Sequence, residues 1–141
     1  MRTMAALLFG ILAVGLSTAL AQTSVRQELQ SPSAFQSIGD RAQRSRAIFT
    51  EIGKLLTHPR WALAPLSMAW QGKSLGDICR QIKDKDRNGG RDLALLQEHI
   101  AKDNLVAWGW NPGAGRQPAP GSQDIAGQLT KAWVDSGAEC P

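Results

Sequence analysis

Tyrosine is absent from the 141 residues, cysteine and histidine occur twice each, and no C-x-x-C-H stands anywhere in the chain. Each absence removes a chemistry. Without C-x-x-C-H there are no paired thiols to form thioethers with haem vinyl groups and no adjoining histidine for the iron. Only His58 and His99 could serve as imidazole bases, no G-x-S-x-G marks a serine nucleophile, and no H-E-x-x-H marks zinc. Glu98 and His99 are adjacent, so on a helix they point about 100° apart and form no dyad. His99 near a helix C-terminus reads as a partner for the helix dipole. No internal repeat and no convincing alternating strand occurs either, so a hydrolase or other self-sufficient enzyme has little to stand on.

What is present begins with Arg2, an apolar run from Ala5 to Leu16, and small residues at Ala19 and Ala21 around Leu20. That pattern is a secretory signal ending in A-x-A, with cleavage predicted after Ala21. The run falls short of the roughly 20 residues of a spanning helix, so no membrane association is expected after cleavage; a retained N-terminal anchor is the alternative. Cleavage would leave 120 residues in a periplasmic or secreted protein and, by removing Arg2, take the formal charge from +4 to +3. Residues 22–36 are expected as a flexible segment and residues 37–141 as one helical domain. The mild, scattered positive excess gives little support to nucleic acid as a partner, none being expected, and suits a weak contact with an acidic protein as well as it suits no partner at all.

Export would place Cys79 and Cys140 in an oxidising compartment, and they lack metal-ligand spacing. One disulfide is expected, tying the tail to the body and closing a loop of about 60 residues, worth roughly 4 kcal/mol in the chain-entropy view. Free or intermolecular thiols are the alternative.

The remaining pattern is mostly α. From Asp40 to Thr57, Ile48, Ile52 and Leu55 recur at helical spacing, widened by Phe49 and Leu56. Arg41 and Arg44 stand at the start, where the dipole disfavours cations; either the helix begins near Ser33, or Asp40 compensates Arg44, and the cluster reads as a solvated helix start. A second helix fits Leu75 to Lys83, with Ser74 as N-cap, Asp77 at the reciprocal position, and Leu75, Ile78, Cys79 and Ile82 facing inward. A third runs from Leu93 to Ala101 behind Asp92 and buries Leu93, Leu96 and Ile100. A fourth follows Ser122, presents Ile125, Leu129, Ala132 and Trp133, and stops at Gly137. Long Pro- and Gly-rich loops join them, notably Trp110 to Ser122.

Two stretches invite sharper readings. In "DKDRNGG", Asp84, Asp86, Asn88 and Gly89 match the first half of a calcium loop. Leu95 occupies the closing position and four cations crowd the ligands, so a charged helix-to-helix turn enabled by Gly89 and Gly90 is the expectation. In "KLLTHPRWALAPLSMAW", His58, Met68, Trp61 and Trp70 cluster within thirteen residues, the side-chain types of a haem pocket. With Trp108, Trp110 and Trp133 there are five tryptophans, for which core packing is the default and lining a groove the alternative.

The segments "SIGDRAQRSRAIFTEIGKLLTHPR", "WALAPLSMAWQGKSLGDICRQIKDKDRNGGRDL", "LVAWGWNPGAGRQPAPGS" and "AWVDSGAECP" resemble the small exported bacterial c-type cytochrome-like proteins labelled isoquinoline 1-oxidoreductase subunit. The likeness covers nearly all of residues 37 to 141. In those relatives a segment like "LTHPR" leads into one C-x-x-C-H, a second follows, and only then comes a segment like "HPxWALAP". Here "THPR" joins "WALAP" directly, at His58-Pro59. The resemblance therefore implies a cytochrome c-like remnant from which the haem-attachment segment has been deleted.

That resemblance implies an exported electron-transfer subunit, haemless here, that docks to a periplasmic oxidoreductase such as a molybdenum hydroxylase. A structural or binding module with no redox role is the alternative. Covalent haem is not expected; non-covalent haem would need His58 and Met68, or His99, to converge as axial ligands. Loss of the cofactor would leave Trp61, Trp70 and Trp108 less to pack on, unless the helices close over the gap.

Overall fold

The computed structural model describes residues 28–58, 70–88, 90, 92–102, 107, 109–111, 115 and 118–141. Among these, the chain forms a 3₁₀ turn, Pro32–Phe35, and four α-helices with no strand: α1 (Arg41–Leu56), α2 (Leu75–Lys83), α3 (Leu93–Lys102) and α4 (Gln123–Asp135). The protein is a small, mostly helical single domain.

Local chemistry sets the helix ends. The Asp40 carboxylate accepts the Gln43 amide N–H at 2.6 Å and starts α1, while the Thr57 hydroxyl donates to the Gly53 carbonyl at 2.8 Å and closes it. Ser122 accepts from the Ile125 amide and starts α4; Gly137, at φ +110°, turns the chain away after it. Ser74 accepts from the Asp77 amide at 3.1 Å to start α2. The reciprocal half of that box differs from the usual form, since the Asp77 carboxylate receives the Ser74 hydroxyl at 2.7 Å.

The core lies between α1 and α4. Ile48, Phe49, Ile52 and Leu55 from one helix meet Ala126, Leu129 and Trp133 from the other in one contiguous cluster. Trp133 is 1% exposed, and its ring stands 4.9 Å from that of Phe49 at a tilt of 51°. Such tilted pairs add about 0.5–1.5 kcal/mol to the area they bury. Against the N-terminal half of α4 lies the end of α3. A Cβ at Gly127 would stand 2.7 Å from the Ala101 Cβ, so this approach requires glycine. Gln123 strengthens it by donating to the Ile100 carbonyl at 3.1 Å.

Three expectations change here. Leu93, Leu96 and Ile100 rest against the core but are only half-buried, because α3 has α4 as its main support and leaves its sides open; Leu95 is 59% exposed. The helix does not begin near Ser33, since α1 starts at Arg41 after a separate 3₁₀ turn; Arg41 is exposed there, as a solvated helix start requires. Arg44 donates to the Ile38 carbonyl, and Arg41 donates to the Asp135 carbonyl at 2.8 Å. The cation disfavoured at its own helix start thus serves the carbonyl end of a neighbouring helix.

The segment expected as flexible is also packed over its described part. Leu29 and Phe35 are buried, the Gln30 amide donates to Glu51 at 2.8 Å, and Gly121 leaves room for the Leu29 side chain. Two apolar residues and a proline at the start of the 3₁₀ turn suffice to dock a short stretch that carries no helical pattern. Over its described residues the Pro- and Gly-rich connection holds no helix or strand and its ends meet: the Ala119 amide donates to Gly109, and the Trp110 indole donates to Pro120 at 3.0 Å.

Candidate functional site

The most densely linked place outside the core is the C-terminal tail. Cys79 and Cys140 form a disulfide, with Cα atoms 5.6 Å apart across 61 positions of sequence. Cys79 is 0% exposed on the inner face of α2, whereas Cys140 is half-buried. The Trp133 indole donates to the Glu139 carbonyl at 3.0 Å, and the Glu139 amide donates to the Ser45 hydroxyl at 2.9 Å. Ser45 is itself fully buried and donates to the Trp133 carbonyl, so this polar group inside the α1–α4 contact is satisfied in both directions. Lys83 donates from the end of α2 to the Ala138 carbonyl at 2.8 Å.

On the outer side of α2, Lys73, Asp77, Arg80, Gln81, Asp84 and Arg87 line an open groove of about 280 Å³. Its charges are largely paired with one another: Arg80 meets Asp77 at 2.6 Å within the helix, and Arg87 meets Asp84 at 3.5 Å in the turn after it. The Ser74 hydroxyl and then the Arg80 guanidinium hold the Asp77 carboxyl below its ordinary 3.8. Asp77 is therefore an anion at neutral pH, suited to ion pairing and unsuited to donating a proton. The groove offers alternating charge to a polar surface.

The residues singled out in the sequence are spread over the molecule. His58 follows the end of α1, half-buried, and His99 occupies the last turn of α3. Met68, Trp61 and Trp108 lie outside the described residues, as does Gly89 of the acidic turn. Trp133 is core, and Trp110 packs against it. The acidic turn uses its side chains on the backbone: Asp84 accepts the Asp86 amide, and the Asn88 amide group donates to the Ile82 carbonyl at 2.8 Å. Among the described residues no group of three or more His, Cys, Asp or Glu side chains could hold a metal ion, and no helix is long and apolar enough to cross a membrane.

Sequence reasoning missed Ser45, Lys83 and Glu139. Each of these bonds joins a side chain to a main-chain group as far as 94 positions away, for which no side-chain pattern exists. No family model, no curated protein and no solved structure matches the chain.

Proposed function

We propose that this chain is an exported, periplasmic or secreted, haemless relative of the c-type cytochrome-like subunits it resembles, and that it acts by docking to a redox partner such as a molybdenum hydroxylase. One observation carries the haemless reading. The only two thiols in the chain, Cys79 and Cys140, are bonded to each other, and thioether attachment consumes two thiols spaced to meet the vinyl groups. The donor set therefore does not fit covalent haem, and no electron step is assigned to this chain. His58 and Met68 remain the residues for any weak, non-covalent contact; Pro65 stands between them in sequence, a residue type disfavoured inside a helix.

The test is maturation in a Gram-negative host competent for cytochrome c assembly. The expected product has an intact mass beginning at Gln22, no Soret band, and at most weak haemin binding that His58→Ala abolishes. A haem that stays with the chain through denaturation and acid extraction would overturn the reading. The second reading, a structural or binding module without redox role, is favoured by the use of both sulfurs as a structural tie. Colourless protein that copurifies with an oxidoreductase supports the docking role, and colourless protein that assembles with non-redox proteins alone supports the module.

A further inference from the structure

Helix α2 is attached to the C-terminal tail along its whole length. At its start, Gly76 lies so close to the Pro141 carbonyl that a Cβ would stand 2.7 Å from the oxygen. In its middle is the Cys79–Cys140 bond, and at its end Lys83 donates to Ala138. Its link to α1 is slighter, with the Leu75 methyl groups seated against Gly53. Ile78 is buried, Cys79 joins the contiguous core that unites α1 and α4, and Ile82 rests against it. A helix of nine residues is too short to persist without such support.

The tail is itself held in a conformation its residues do not favour. Ala138 sits at φ +52°, in the left-handed region that disfavours alanine. Its amide is fixed to the Trp133 carbonyl at 2.9 Å, and Glu139 is fixed to Trp133 and Ser45. The α1–α4 core, by contrast, gains its aromatic pair and most of its buried aliphatic side chains from within those two helices.

We propose that the Cys79–Cys140 bond is a redox-operated clamp, whose reduction by a dithiol releases α2 and the last residues of the tail from an α1–α4 body that stays folded. A thiolate of the dithiol attacks Sγ of half-exposed Cys140, the S–S bond breaks, and Cys79 leaves as a thiolate that takes up a proton. The second thiol of the reductant then attacks the mixed disulfide and Cys140 leaves in turn. Two electrons pass to the protein, and the reductant carries away its own disulfide. Release frees the Ile78 face and both thiols together. The inference is independent of the docking role, since it concerns how this domain is held.

Hydrogen exchange on the full chain, before and after treatment with dithiothreitol, tests the clamp. Peptides over residues 75–83 and 138–141 are expected to exchange at least about tenfold faster after reduction, with residues 45–55 and 126–133 keeping their protection. Alkylation by iodoacetamide of both thiols, after dithiothreitol alone, reports that the bond was open. The paired substitutions Cys79→Ser and Cys140→Ser should reproduce the reduced pattern, while Lys83→Met in oxidised protein should leave α2 protected. Unchanged exchange in residues 75–83 with both thiols alkylated would overturn the proposal. Loss of protection through every helix would overturn it as well, because the bond would then be a staple of the whole fold.

Discussion

Between α1 and α4 the contact is made by apolar side chains that interdigitate, with Phe49 on Trp133 at its centre and Ser45 as its satisfied polar residue. Between α2 and the body it is made by a covalent bond, a lysine on a carbonyl, and a carbonyl pressed on a glycine. The first kind of contact grows with area removed from water and fails as a unit. The second depends on a few groups, each of which can be removed without opening the core. A chain of this size can therefore carry a firm half and a conditional half.

The largest expected effect breaks the firm half. Trp133→Ala removes the largest fully buried side chain and leaves the Glu139 carbonyl without its donor. Urea denaturation should show a loss of about 3–5 kcal/mol, and a loss below about 1 kcal/mol would mean that the core lies elsewhere. Next comes the covalent link. Cys140→Ser in oxidised protein should cost up to about 4 kcal/mol, since the bond closes a loop across 61 positions of sequence. Equal exchange protection of residues 75–83 in the oxidised wild type and this variant would show that the bond does not hold α2 to the body.

Ser45→Ala sits where the two halves meet. It leaves the part-buried Glu139 amide without its acceptor, while the Trp133 carbonyl, losing one donor, keeps the Ala138 amide and the Ser136 hydroxyl. Unmet buried groups of this kind cost about 1–3 kcal/mol. The same substitution should speed amide exchange at Glu139 more than at Ile48, although both lie near it. Equal changes at the two amides would show that Ser45 fills space and does not anchor the tail.

The firm half was the more legible one in sequence. Asp40, Ser74 and Ser122 announce helix starts by chemistry that acts within three residues, and Ile48, Ile52, Leu55, Leu129 and Trp133 announce inward faces by helical spacing. The cysteine pairing was also legible, because only one intramolecular pairing of two cysteines exists. What could not be read was any bond from a side chain to a distant backbone carbonyl. Arg41 reaches Asp135, and Lys83 reaches Ala138, through acceptors that every residue carries alike. The docking of Leu29 and Phe35 was hidden for a related reason, since isolated apolar residues in a short polar stretch have no period. Of the haem-type residues, His58 is described and Met68 is not, so the sequence remains the sole ground for pairing them.

The smallest effect probes the start of α2, where Asp77 is held below its ordinary 3.8 by the Ser74 hydroxyl and the Arg80 guanidinium. A carboxyl whose folded value is depressed contributes stability that is fully present above its unfolded value and is lost as pH falls through the folded one. Asp77 is exposed, so the contribution is screened, and it acts on α2 before it acts on the core. Lys73, Asp84 and Arg87 line the same groove. Asp77→Asn isolates the one carboxyl from the other. Exchange in residues 75–83 should be faster in the variant than in the wild type near neutral pH, and the difference should close as the pH falls below about 4. A difference that persists undiminished in acid would mean that the side chain acts through its shape at the cap and not through its charge.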